Sequence, residues 1–133
     1  MSAENIETAK RVIETMNERD LDGLLAVCDP EVEFHALTQW PGEPTELYGH
    51  EGAEYVLEVM GREFAENRSE PREFIDAGER VVALVELSAI GRQSGVPVRM
   101  DEALVFTINE GLLVRLDVCG TRQKALEKAG LSE

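Results

Sequence analysis

Residues 100–120 read MDEALVFTINEGLLVRLDVCG, and the alternation within them decides the fold. Met100, Glu102, Leu104, Phe106 and Ile108 fall on one side of a strand, and Leu112, Val114, Leu116 and Val118 on one side of the next. Asn109-Glu110-Gly111 has the form of a three-residue hairpin loop with Gly111 in the left-handed conformation. That loop sets Glu102 opposite Val118 and Leu104 opposite Leu116, so the two apolar sides become one surface with Glu102 as its only acid. An ionised carboxylate on such a surface is costly unless it is solvated or paired. Glu102 is therefore expected either to serve chemistry or to sit at a wet opening.

Upstream, RVVALVELSAIGRQ (residues 80–93) reads as a long strand that ends at a Ser94-Gly95 turn. With those two residues as the loop, Gln93 pairs with Val96, and Leu87, Val85 and Ala83 fall opposite Glu102, Leu104 and Phe106. Glu102 is then flanked by Leu87 and Val118, which predicts a pKa above the ordinary glutamate range. The reverse side carries Glu86, Ser88, Arg99, Asp101, Arg115 and Asp117 among Val82, Leu84, Ile90 and Val105. It is too apolar for a solvated face and too charged for a core, which suits a two-fold contact with a second copy.

The N-terminal half is mostly helical. Ser2 can cap a helix with Ile6, Ala9, Ile13 and Met16 at helical spacing, and Asp20 a short one with Leu21, Leu24 and Leu25. Asp29-Pro30 ends it. EVEFHA (31–36) alternates as a strand, with Val32, Phe34 and Ala36 on one side. A long loop, TQWPGEPTELYGHEG, holds Trp40, which can close over a pocket or anchor the loop. Ala53, Val56, Leu57, Met60 and Phe64 form the stripe of a third helix. Pro71 stops its exit, PREFIDAGE reads as a short strand and turn, and Thr121 caps a last helix that ends at Gly130. Helices first and strands last is the α+β order.

Composition narrows the function classes. The 133 residues make one domain (1–133) large enough for a real core. A formal charge of −14 argues against nucleic acid or an anionic membrane as partner. There is no apolar run of spanning length and MSAENIETAK has no signal-peptide core, so a cytoplasmic location is expected. Cys28 and Cys119, far apart and outside any CxxC, read as reduced packing thiols. No third ligand stands at metal spacing from His35 or His50, Ser88 has no paired His, and no GxGxxG or P-loop occurs; neither metal nor cofactor is expected.

The element order, together with DPEVEFH, the helix opening YGHEG, the turn GRQSGVPV, the strand EGLLVRLDV and the tail ALEKAGL, resembles the SnoaL-like proteins of the nuclear transport factor 2 and ketosteroid isomerase-like superfamily. The resemblance covers nearly the whole chain. It implies a cone-shaped, cystatin-like α+β roll, with three N-terminal helices packed on a strongly curved antiparallel sheet that encloses an apolar pocket, and it implies a homodimer. It does not imply one chemistry. The tyrosine, general-base aspartate and protonated aspartate of ketosteroid isomerases match Val12, Phe34 and Leu104. The late aspartate of SnoaL-type cyclases and limonene epoxide hydrolases matches Val118. The hydrolase tyrosine and asparagine match Phe34 and Ala36, and its Arg-Asp pair falls near Glu86 and Ser88. Neither chemistry carries over.

The expected pocket is lined by Val12, Met16, Phe34, Trp40, Val56, Met60, Leu87, Leu104, Phe106, Leu116 and Val118 around Glu102. Its occupant is a small, largely apolar organic molecule. Either Glu102 moves a proton on it in a cofactor-independent isomerase, cyclase or dehydratase reaction, or the protein is a non-catalytic carrier or sensor in which Glu102 orients a polar group.

Overall fold

The computed structural model describes residues 2–35 and 45–131, without the side chain of Ser2. The capping role expected of Ser2 and the lid or anchor role expected of Trp40 lie outside the described residues. The elements in chain order are helices α1 (Ser2–Glu18) and α2 (Leu21–Val27), strands β1 (Cys28–His35) and β2 (Glu46–Tyr48), helix α3 (Gly49–Glu63), strands β3 (Phe64–Ala77), β4 (Arg80–Gly91), β5 (Pro97–Asn109) and β6 (Leu112–Cys119), and helix α4 (Arg122–Lys128). Asp20 caps α2 by accepting from the Gly23 N–H at 3.0 Å, and Thr121 caps α4 by accepting from that of Lys124 at 3.1 Å.

The fold is α+β, with one six-stranded sheet in the order β2-β1-β6-β5-β4-β3. The sheet is mixed rather than wholly antiparallel, because β1 runs parallel to β6. Alternation and turn chemistry specify hairpin neighbours; the pairing of the first strand with the last leaves no local signal. Two strands also precede α3, so the helices do not all come before the strands. The main core lies on the inner face, where Ala9, Val12 and Ile13 of α1 and Val56, Leu57 and Met60 of α3 meet Val32, Phe34, Val81, Val85, Phe106 and Leu116 of the sheet.

The hairpin registers differ from expectation in an instructive way. Glu110 (φ 52°) and Gly111 (φ 78°) are both left-handed, and Asn109 pairs with Leu112, so the β5–β6 loop has two residues, not three. A bulge between Thr107 and Ile108 adds a second displacement. Leu104 thus faces Val118 and Phe106 faces Leu116. The net slip is two residues, which keeps every side chain before the bulge on its expected face. Beyond the bulge the face changes: Leu113 is buried in the core, whereas Leu112 and Val114 are only partly covered.

The β4–β5 loop is wider than Ser94-Gly95. The Gly91 N–H donates to Val96 O and that of Gly95 to Gly91 O, and Ile90 pairs with Pro97. Val85 therefore faces Glu102, Ala83 faces Leu104 and Leu87 faces Met100, again a slip of two. The short strand expected at PREFIDAGE is the second half of a 14-residue strand. Pro71 does not end an element; it sits at a register shift between Pro71 and Glu73 in β3, an edge strand, where a missing N–H is tolerated. The polar run AENRSE concealed the first half of β3, because much of that edge is exposed and shows no apolar alternation.

The outer face is not open throughout. Val82, Ala103 and Val105 form a second core with Ala125 and Leu126 of α4 and its C-cap Ala129, so Val82 and Val105 are covered by this chain's own helix rather than by a second copy. A left-handed glutamate is the least suitable residue in the β5–β6 turn. Glu110→Asn should raise stability by about 0.5–1 kcal/mol, since Asn adopts that conformation more readily. Urea denaturation would check this, and an unchanged or lower midpoint would contradict the turn assignment.

Candidate functional site

Strand β5 delivers Glu102 to the inner face by simple alternation, two residues before Leu104 and four before Phe106. On one side its neighbour is Val85. On the other, the last β5–β6 pair is Ala103 with Cys119, after which the chain turns through Gly120 and Thr121 into α4. Glu102 stands where β6 has ended.

A cavity of about 90 Å³ lies between that face and α1 and α3. Among the expected residues, Met16, Val56, Met60, Leu87, Glu102, Leu104, Phe106, Leu116 and Val118 line it. Val12 and Phe34 do not: both are fully buried in the core. Periodicity assigns a residue to a face but not to a depth along it. Ile13, Asn17, Asn67 and Ser69 complete the lining and were not anticipated. Asn17 lies four residues after Ile13 on the same helical stripe, a signal available in the sequence but outweighed by its polarity. Asn67 and Ser69 belong to the half of β3 that the pattern concealed.

The polar part of the wall is built by α1 and β3. Asn17 grips the backbone of Ser69 at two points, donating from Nδ2 to Ser69 O at 2.9 Å and accepting the Ser69 N–H at Oδ1 at 2.8 Å. Asn67 Oδ1 is buried and has no hydrogen-bond partner among the described residues.

Glu102 also lines a second space, a surface groove of about 390 Å³ with Arg72, Leu84, Asp101, Gly120, Thr121 and Arg122. Glu102 thus borders both an apolar cavity and a groove open to water. The two groove arginines engage other acids: Arg72 reaches Glu86 at 2.8 Å and Arg122 reaches Glu73 at 3.1 Å. Among the described residues Glu102 has no ion pair or hydrogen bond, and desolvation alone raises its pKa above the ordinary 4.5.

Other candidate groups are occupied or inert. Burial pushes the Cys28 thiol up to about 12 and also raises that of Cys119, so neither supplies a thiolate at neutral pH. His35 Nε2 meets Glu33 at 2.7 Å, and His50 Nε2 donates to Cys28 O at 3.2 Å. Among the described residues no three His, Cys, Asp or Glu side chains converge at metal-binding distance. Arg115 binds Asp117 through Nε and Nη2 at 2.9–3.1 Å within the same chain. Asp117 is buried, so this pair serves the fold.

The chain matches the family described as SnoaL-like domain over residues 9–116. It is a member of that family. A protein of nuclear transport factor 2-like fold from Burkholderia pseudomallei, of unknown function, superposes on this SnoaL-like domain with a TM-score of 0.78 at 24% identity, covering 93% of this chain and 95% of the other. TerC, crystallised with polyporic acid, has the same TM-score and identity, over 96% and 98% of the two chains. A putative SnoaL-like polyketide cyclase from Jannaschia sp. CCS1 gives a TM-score of 0.75 at 19% identity, over 96% and 92%. These likenesses are likenesses of fold, and cystatin-like and ketosteroid isomerase-like folds occur among the similar structures. No curated protein matches the chain.

The raised pKa has a defined consequence for stability. Because the folded value of Glu102 exceeds the unfolded one, the group favours folding below about pH 4.5 and costs stability as pH rises through its folded pKa. Glu102→Gln should therefore melt higher than the parent at pH 7, with the difference shrinking toward pH 4. An NMR titration placing the Glu102 pKa at or below 4.5 would refute this.

Proposed function

We propose that this SnoaL-like domain binds a small, largely apolar organic molecule in the cavity and that Glu102 moves a proton on it without a cofactor. One observation carries the reading: among the described residues Glu102 is the only ionisable one of the cavity lining, and it is desolvated and has no partner. A carboxyl with a raised pKa is a stronger base when ionised and is brought nearer to working pH, where it can take a proton and return it. The groove behind it lets the proton exchange with water. One carboxyl that takes and returns a proton fits an isomerisation, cyclisation or dehydration. The chain shares its fold with a putative polyketide cyclase, but Val118 stands where the SnoaL-type cyclase aspartate would be, so the proton transfer falls to Glu102.

The absence of a second ionisable group from this lining also favours a carrier or sensor, in which Glu102 only orients the ligand. A panel of small β,γ-unsaturated ketones and β-hydroxy ketones in D2O separates the two, with deuterium incorporation read by NMR. The enzyme should lose about 10²–10⁴-fold of its exchange rate on Glu102→Gln while keeping its fold. Binding that persists with equal exchange by parent and variant would leave the carrier reading. Two free thiols fit a reducing compartment, and we place the protein in the cytoplasm on that ground; no helix among the described residues is long and apolar enough to cross a membrane.

We also propose a homodimer through the part of the outer face that α4 leaves uncovered, where Glu86, Ser88 and Ile90 of β4 adjoin Arg99 and Asp101 of β5. Light scattering should give twice 14.8 kDa at micromolar concentration, and Ile90→Lys should shift the population toward monomer. A monomeric parent protein would refute this interface.

A further inference from the structure

Asn67 is turned inward at a cost. On β3 the exposed Glu66, Arg68 and Glu70 alternate with Asn67 and Ser69, which are less exposed and line the cavity. An apolar side chain at position 67 would satisfy that environment at no cost, whereas a buried amide oxygen without a donor loses its hydration. The residue cannot easily turn away, because Asn17 fixes the backbone two residues on at Ser69, and the β4 register holds Asn67 opposite Ala89. Asn67 lines the cavity while its Oδ1 lies covered and without a donor among the described residues, so a small turn of the amide would present that acceptor to a ligand's donor.

Its position relative to Glu102 adds a constraint on length. Asn67 pairs with Ala89 and Glu102 pairs with Val85, four residues away along β4. The two rows are about 13 Å apart along the strand at about 3.3 Å per residue, and β3 and β5 lie on opposite sides of β4. Asn67 and Glu102 therefore serve different ends of the cavity.

We propose that Asn67 is a specificity-determining residue whose Oδ1 accepts a hydrogen bond from a hydroxyl or amine at the end of the ligand remote from Glu102. The ligand class is an elongated, apolar-bodied molecule with a donor at one end and the group that Glu102 acts on or orients at the other. This rests on the cavity being the ligand site, as proposed above.

Phenol, anisole and toluene, which share a ring but carry a donor, an acceptor only and neither, are the probes, titrated by NMR against the parent protein and Asn67→Leu. Asn67→Ala carries the same measurement if the leucine does not fit. The expected result is a roughly five- to tenfold loss of phenol affinity on substitution, with anisole and toluene unchanged or tighter. The variant should melt no lower than the parent, since an acceptor without a donor contributes nothing to the fold. An unchanged phenol-to-toluene ratio, a loss confined to anisole, or a markedly lower melting temperature overturns the assignment of Asn67. Failure of the parent protein to bind any of the three overturns the cavity reading on which the assignment rests.

Discussion

Strand β5 is paired with β4 from Pro97 to Thr107 and with β6 from Ala103 to Asn109, and the rest of the molecule depends on that double pairing. Its period of two sends Leu104, Phe106 and Ile108 inward and Ala103 and Val105 outward, so one strand supplies side chains to both cores. The inner core holds α1, α2 and α3, and the outer one holds α4. Because β6 stops opposite Ala103, the next inward residue, Glu102, loses one flank of cover. The end of a strand, rather than any dedicated loop, places a carboxyl between an apolar cavity and solvent.

The edge strand β3 faces the opposite problem. Unpaired strand edges are prone to joining other chains, and here a proline at a bulge and the exposed charges of Glu66, Arg68, Glu70 and Arg72 discourage that. Those features leave few apolar contacts to hold the strand against the helices. Asn17 meets the need with two hydrogen bonds to the backbone of one residue, Ser69, and the same bonds bring polar groups into the cavity wall. The structural fix for an edge thus also shapes the site.

Charge is distributed in keeping with this division. The net −14 is spread over the surface, where arginines in the groove engage Glu73 and Glu86, while Asp117 is buried against Arg115. Glu102 alone in the cavity lining carries a charge without a partner among the described residues. A half-buried acid kept unpaired costs stability that a hydrophobic residue would not, which is the physical reason to look for chemistry there.

Local rules determined much about this protein from sequence alone. Helical spacing specified the stripes of α1 and α3 except for Phe64, which opens β3, capping chemistry specified Asp20 and Thr121, and alternation set Glu102 on an apolar face with Leu104 and Phe106. These signals are short-range, and face assignment survived two net register slips because each was an even number of residues, failing only at Leu112 and Val114 beyond the bulge. Tertiary structure decided what depends on distance along a face or on partners far apart in sequence. It paired β1 with β6 and separated fully buried Val12 and Phe34 from cavity-lining Met16 and Leu116. It covered Val82 and Val105 with α4, and it assembled Asn17, Asn67 and Ser69 from a helix and an edge strand some 50 residues apart. Polar residues carry no periodic apolar signal, so a wall made of them becomes visible only once the chain has folded around it.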